Sequence, residues 1–110
     1  MSSRILATSE TELKKSPLPS DHVISEHFDT GLMEFPNALD VNCGLWDHPD
    51  GESRYVESDE VFVVLTGRAE IEINGSETLK VEPGDVVLFE AGIHTVWRVT
   101  EPLRKFWIVK

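Results

Sequence analysis

The sequence has little cysteine and no long apolar run, and both shortages exclude classes of protein. Cys43 is the single cysteine among 110 residues, so no internal disulfide can form and a reducing cytoplasm is the expected location. No apolar run approaches the ~20 residues of a membrane helix. The first ten residues, MSSRILATSE, lack the apolar stretch of a secretory signal. We therefore expect a cytoplasmic protein without a membrane partner.

Positive charge is also scarce. Ten Lys and Arg stand against twenty Asp and Glu, which gives a formal net charge of −10. A nucleic-acid-binding protein needs a basic surface to neutralise phosphates. In this sequence adjacent basic residues occur only at Lys14-Lys15 and Arg104-Lys105. Gly-rich phosphate loops, G-x-S-x-G and C-x-x-C are absent as well. The composition argues against nucleic acid as a partner and leaves a small molecule as the expected one.

The pattern of the chain changes after its first twenty or so residues. Residues 1–22 are rich in Ser, Thr, Lys and Pro, and we interpret them as an irregular N-terminal arm that is flexible or packed on a partner. Residues 23–110 are expected to form one domain. In this part AEIEING alternates apolar and polar positions, as a strand does, and Asn74-Gly75 is typical of a tight turn. Short strands at intervals of 8 to 12 residues predict an all-β sandwich or barrel.

Several motifs in these strands resemble the cupin superfamily, the RmlC-like jelly-roll barrels. The first cupin signature ends in Glu, six residues and Gly, which corresponds to Glu60 through Gly67, and the second begins at Gly84-Asp85 and runs to Gly92. The details are most similar to the short EutQ-like and ureidoglycine aminohydrolase-like cupins. The matching positions are Gly44-Leu45-Trp46, Asp59-Glu60, Thr66-Gly67-Arg68, Trp97 and Arg104-Lys105. The resemblance covers about residues 40–110 and implies a single double-stranded β-helix.

The chain lacks the histidines that this resemblance implies for a metal site. The two slots ahead of Glu60 fall on Arg54 and Val56, or on Ser53 and Tyr55 in the alternative spacing. The third histidine slot falls on Thr95, and His94 is its neighbour. We therefore expect no cofactor. If a divalent metal binds, Glu60 and His94 would hold it, and a bulge would have to turn His94 inward.

Alternation along strands predicts which side chains line the barrel. The candidate pocket residues are Arg54, Tyr55, Glu60, Phe62, His94, Thr95 and Trp97. Arg54 and Glu60 have two open interpretations. They face each other or grip a ligand inside the barrel, or Arg54 points outward and Glu60 ends its strand in solvent. No residue is assigned a catalytic role.

Three functions follow from this reading. The first is a small cupin of uncharacterised role that binds a small organic molecule without the three-histidine metal site. The second is a metal-dependent enzyme acting on a small nitrogen compound, as in the ureidoglycine aminohydrolase-like cupins. The third is a structural dimerisation module. Whether the protein is an enzyme stays undecided, and a homodimer is expected in each case.

Overall fold

The computed structural model describes residues 3–36 and 38–110, so residues 1 and 2 of the predicted arm lie outside the described part. The strands of the described part are β1 (Lys14–Pro17), β2 (Asp29–Glu34), β3 (Asn42–His48), β4 (Gly51–Val56), β5 (Glu60–Ile73), β6 (Glu77–Val81), β7 (Val86–Phe89) and β8 (His94–Val109). A short 3-10 helix, Ser20–His22, lies between β1 and β2. The predicted all-β jelly-roll fold is confirmed. No helix within residues 3–36 and 38–110 has the length and apolar character needed to cross a bilayer.

The two longest strands, β5 and β8, pair with each other along most of their length and belong to both halves of the barrel. The first half of β5 lies between β7 and the second half of β8, which continues to β3, β2 and β1. The second half of β5 lies between β6 and the first half of β8, which continues to β4. Every pairing is antiparallel. The two halves face each other and enclose the core.

The change of sheet occurs at a corner where the pairing register shifts three times between Val64 and Ala69. Gly67 lies at this corner with a φ of 86°, and a Cβ built on it would lie 2.2 Å from the Pro102 carbonyl oxygen. Glycine is therefore needed for two reasons, the left-handed backbone and the close approach of β8. The glycine of the first cupin signature thus allows β5 and β8 to cross.

Inward positions on both halves meet in one apolar core. Phe62, Phe89 and Trp97 form its centre, with ring centroids 5.3 to 6.1 Å apart.

The predicted turn at Asn74-Gly75 keeps the β5–β6 hairpin in the register that points Ile71 into this core. Both turn residues have positive φ, and Ser76 N–H donates to the Ile73 carbonyl at 3.0 Å.

The N-terminal arm is attached to the barrel at two places. Strand β1 pairs with β2, and Leu13 and Leu18 on either side of β1 are buried. The Arg104 guanidinium donates to both carboxylate oxygens of Asp47, at 2.6 and 2.8 Å, and to the Thr11 carbonyl at 2.8 Å. The second half of the arm is thus an edge of the first sheet.

The outer face of the first sheet carries apolar side chains that the barrel itself does not cover. The register places Leu88, Val61 and Ile108 in one row across β7, β5 and β8, and Val86, Val63 and Phe106 in the next row. Val86 and Leu88 are about two-thirds exposed, at 70% and 67%. We call these six residues the outer apolar face. Single exposed apolar residues are normal on a protein surface, whereas these six residues lie next to each other in one patch.

Replacing Gly67 by alanine tests the crossing of β5 and β8. We predict that Gly67→Ala lowers the free energy of unfolding by more than about 3 kcal/mol, because the new methyl group meets backbone atoms and the residue is strained at positive φ. Gly84→Ala is the matched control. Gly84 also has a positive φ, 95°, but nothing lies within 4 Å of its added Cβ, so about 1 kcal/mol is expected. Chemical denaturation measures both values, and equal losses would contradict the close approach at Gly67.

Candidate functional site

One side of each strand supplies the polar groups of a pocket inside the barrel. Along β5 the alternation buries Glu60, Phe62 and Val64, and along β8 it turns Lys105 and Trp107 inward. The pocket is a cavity of about 430 Å³. Its lining residues are Leu32, Glu34, Asn42, Trp46, Tyr55, Glu57, Glu60, Trp97, Lys105, Trp107 and Val109. The volume and the mainly apolar walls, which include three tryptophans, fit a site for a small organic molecule.

A buried ion pair forms one wall of the pocket. Lys105 Nζ donates to Glu60 Oε2 at 2.6 Å, and each side chain is 8% exposed. The ammonium also lies 4.4 to 5.0 Å from the ring centroids of Phe62, Trp46 and Trp97, so three aromatic faces stabilise the charge. Burial raises the pKa of the Glu60 carboxyl, and the charge of Lys105 and its hydrogen bond oppose that effect. Removing one partner would leave a buried charge without its counterion.

A second carboxylate, Glu57, is held in a fixed orientation on the loop between β4 and β5. Its Oε2 accepts hydrogen bonds from Thr95 Oγ1 at 2.6 Å and from Trp97 Nε1 at 3.1 Å. The loop itself is fixed by Glu57 N–H, which donates to the Ile93 carbonyl, and by the Glu57 carbonyl, which accepts from Gly92 N–H. Within residues 3–36 and 38–110 no Lys, Arg or His forms a salt bridge with Glu57. Glu57 therefore presents an anionic group to the pocket that neutral donors position.

The Tyr55 hydroxyl is a buried polar group without a hydrogen-bond partner among the described residues. Burial raises the pKa of Tyr55 to about 12, with a smaller opposing effect from the Ser53 hydroxyl and a further rise from the charge of Glu57. The Ser53 hydroxyl lies at 2.8 Å from His48 Nε2 and is engaged there. Tyr55 is thus a neutral hydroxyl at neutral pH, and it is enclosed by neighbouring atoms.

His48 lies behind the aromatic wall. Its Nε2 faces the Ser53 hydroxyl and its Nδ1 contacts the Pro49 carbonyl, so Nδ1 carries the proton and Nε2 accepts. Burial lowers the pKa of His48, the Pro49 carbonyl opposes this, and the charge of Lys105 adds to the lowering. Since both ring nitrogens are engaged, His48 has no free nitrogen to offer a metal.

The structure brings part of the predicted set of pocket residues together. Tyr55, Glu60 and Trp97 line the pocket, Phe62 lies beneath the Lys105 ammonium, and Thr95 is buried against Glu57.

Arg54 and His94 lie outside this pocket. Arg54 Nη2 donates to the Val23 carbonyl at 3.3 Å on the exposed side of β4, because alternation turns Ser53 and Tyr55 inward instead. His94 is exposed at the start of β8, and its backbone N–H donates to Asn74 Oδ1. Both residues line a separate surface cavity. Of the two interpretations of Arg54 and Glu60, the structure has Arg54 pointing outward and Glu60 facing a different cation, Lys105.

The residues present do not fit the three-histidine metal centre of cupins. The corresponding positions hold an exposed Arg54 and Val56, or Ser53 and Tyr55, together with Thr95, which is bonded to Glu57. The Glu60 carboxylate is already paired with an ammonium group. Across the described part of the chain, no three His, Cys, Asp or Glu side chains converge as ligands would.

The pocket residues that the predicted set lacks include Lys105 and Glu57, which make its buried polar contacts. The signal for Lys105 was present, since Leu103, Lys105 and Trp107 alternate on one side of β8 and the Arg104-Lys105 pair belongs to the resemblance. Glu57 had no such signal, because it lies in a loop, where alternation does not apply.

The structure has the features of a cupin: β5 and β8 cross, Gly67 lies at the crossing, and Glu60 faces inward. A family model of the EutQ-like cupin domain matches residues 38–107, so the chain belongs to the EutQ-like cupin family.

Comparison with solved structures finds the same fold in bacterial proteins. A DUF861 family protein from Thermotoga maritima is 27% identical, with a TM-score of 0.58 over 60% of this chain and 76% of that one. A putative ethanolamine utilization protein Q from Salmonella typhimurium is 15% identical, with a TM-score of 0.64 over 90% and 97% of the two chains.

A salicylate 1,2-dioxygenase from Pseudoaminobacter salicylatoxidans, solved with gentisate, is 20% identical with a TM-score of 0.61, over 73% of this chain and 24% of that enzyme. At identities below a quarter, the likeness concerns the fold. No curated protein matches the chain.

The buried Glu60 carboxyl gives a pH dependence of stability. Because burial raises its pKa above the ordinary value of 4.5, the folded state binds the proton more tightly than the unfolded chain does. The contribution of Glu60 to the free energy of unfolding is therefore fully present below about pH 4.5 and is lost as the pH rises through the raised pKa. We predict that the wild type loses stability relative to Glu60→Gln as the pH rises from about 4.5 through the raised pKa.

Urea denaturation at several pH values measures this difference, and His48 cancels because both proteins contain it. Glu77→Gln, at an exposed position of β6, is the matched control and should follow the wild type. Parallel curves for the wild type and Glu60→Gln would contradict the raised pKa.

Proposed function

We propose that this EutQ-like cupin binds a small organic molecule in the aromatic pocket, using side chains of the chain itself and not a three-histidine metal site. The observation that supports the proposal is an unfilled cavity of about 430 Å³ on which polar groups converge. An open cavity with mainly apolar walls and a few converging polar groups is the usual form of a site for a small molecule.

The polar groups of the pocket also fit a binding role. A buried ion pair is weak as a source of stability compared with well-packed apolar residues. Glu57 in the pocket wall has no salt-bridge partner in the described chain and is available to a ligand that carries a hydrogen-bond donor. The metal-dependent enzyme has less support, since the donor set described above lacks converging histidines.

A substitution at the mouth of the pocket tests the proposal. Leu32 lines the pocket and is 42% exposed, so Leu32→Trp should narrow the cavity without disturbing the core. We predict that fragments of one or two rings bind the wild type, shift the indole N–H signals of Trp46 and Trp107 in NMR spectra, and bind Leu32→Trp at least about 10-fold more weakly. Thr78→Trp adds the same side chain at an exposed position of β6 and should leave binding unchanged. If no fragment binds, or if the two variants behave alike, the pocket is not the binding site.

A second candidate function, dimerisation, has the support of the outer apolar face. Two copies that each carry a net charge of −10 repel each other unless they meet over uncharged surface. The outer apolar face is a continuous uncharged surface of two adjacent rows across three strands, so it suits a second copy of this chain. Contact there would remove Val86 and Leu88 from water and would leave the pocket, on the other side of the same strands, free for a ligand.

A charge placed on the outer apolar face tests this contact. We predict that the wild type sediments as a dimer and that Leu88→Lys is a monomer, because a buried lysine on a two-fold interface meets its own copy without a counterion. Val56→Lys, at a 63% exposed position of β4, makes a similar change away from the face and should remain a dimer. A monomeric wild type in sedimentation velocity experiments would contradict the proposal.

A further inference from the structure

We infer that the pocket selects a small organic ammonium ion, with its N–H groups on Glu57 and its apolar part against the tryptophan rings. This inference rests on the proposed binding function and adds the chemical class of the ligand. It is supported by a difference between two pocket carboxylates: Glu60 has a salt-bridge partner, and Glu57 has none in the described chain.

Among the lining residues, three carboxylates stand against one ammonium, so the pocket has an excess of negative charge. Glu60 is neutralised at 2.6 Å by Lys105. Glu34 is exposed at the end of β2. Glu57 remains as a carboxylate inside the pocket wall that has no salt-bridge partner in the described chain, and its Oε2 is fixed by Thr95 and Trp97. A cation entering the pocket would supply the missing counterion.

Glu57 offers strong contacts to such a ligand. An ammonium on its carboxylate makes charge-assisted hydrogen bonds, which are stronger than neutral ones. Tyr55 lines the same cavity, but its hydroxyl is enclosed by neighbouring atoms, so Tyr55 contributes its ring to the wall.

The walls suit the rest of a cationic ligand. Trp46, Trp97 and Trp107 line the same cavity, and indole faces attract organic cations by their negative electrostatic potential. The chain already uses this attraction, since the Lys105 ammonium lies 4.6 Å from Trp46 and 5.0 Å from Trp97.

Lys105 does not make the pocket a site for anions. Its ammonium is paired with Glu60, so a ligand carboxylate would have to displace that partner. The same ligand would also approach Glu57 and the displaced Glu60, two like charges in a region of low dielectric. An anion is therefore disfavoured, and a neutral molecule lacks the attraction to Glu57.

Three probes of similar shape distinguish these ligand classes: benzylamine, benzyl alcohol and benzoate, at pH 7 and low salt. NMR titration of the full chain gives each dissociation constant. We expect benzylamine to bind about 10-fold more tightly than benzyl alcohol, and benzoate to bind more weakly than both. Glu57→Gln keeps an oxygen that accepts from Thr95 and Trp97 but removes the charge. It should weaken benzylamine binding about 10-fold, which corresponds to about 1.4 kcal/mol, and change benzyl alcohol binding less than about 2-fold.

Glu77→Gln removes one negative charge at the exposed start of β6, and it should change none of the three constants. Benzoate binding more tightly than benzylamine, or a Glu57→Gln protein with the wild-type preference, would overturn the ammonium inference while the binding function stands. Absence of pocket signals with all three probes would overturn both.

Tyr55→Phe tests whether Glu57 alone recognises the ammonium group. The substitution removes a hydroxyl that is enclosed away from the cavity, so we expect the benzylamine dissociation constant to stay within about 2-fold of the wild-type value. Binding about 10-fold weaker would assign the recognition to the Tyr55 hydroxyl and would contradict the role of Glu57.

Discussion

The pairing of β5 with β8 is the constraint on which the rest of this structure depends. Both strands are long enough to run through both sheets, and they remain neighbours through three register shifts at the Gly67 corner. Their first and second halves therefore contribute to opposite walls of one cavity. Glu60 and Lys105 lie in the half of the barrel that contains β7 and β3, whereas Thr95 and Trp97 lie in the half that contains β4 and β6. A single crossing thus determines the distance between the ion pair and the Glu57 carboxylate that Thr95 and Trp97 hold.

The aromatic rings around Lys105 explain how a charge is tolerated in this interior. An ammonium that leaves water loses its hydration, and in this barrel it regains one hydrogen bond and contact with three ring faces. The family resemblance links Glu60 with a metal cation, but here the positive charge beside Glu60 is the ammonium group of Lys105. The barrel therefore has a cation beside Glu60, although it lacks the histidines of the metal centre.

The sequence predicted the parts of the fold and site that depend on alternation within a clear strand. The pattern of β5 placed Glu60 and Phe62 on the same side of the strand, although it left open whether Glu60 faces the barrel or solvent, and the Asn74-Gly75 turn gave the hairpin. The facing of β4 was ambiguous, because the strand is short and two spacings of the motif differ by one residue. A shift of one residue exchanges Arg54 for Tyr55 in the pocket. Lys105 was recognisable as inward from Leu103 and Trp107, but its partner depended on the β5–β8 register, which local patterns do not specify.

The position of Glu57 in a loop has a physical consequence for the pocket. A carboxylate on a strand next to Lys105 would pair with it, as Glu60 does, whereas a carboxylate on the β4–β5 loop is held away by its bonds to Thr95 and Trp97. Two carboxylates therefore share one cavity without sharing one cation. The net charge of −10 acts in the same direction, since an acidic surface raises the local concentration of cations and lowers that of anions. This long-range attraction is screened at physiological salt beyond about 8 Å, so discrimination between ligands rests with Glu57 and not with the surface.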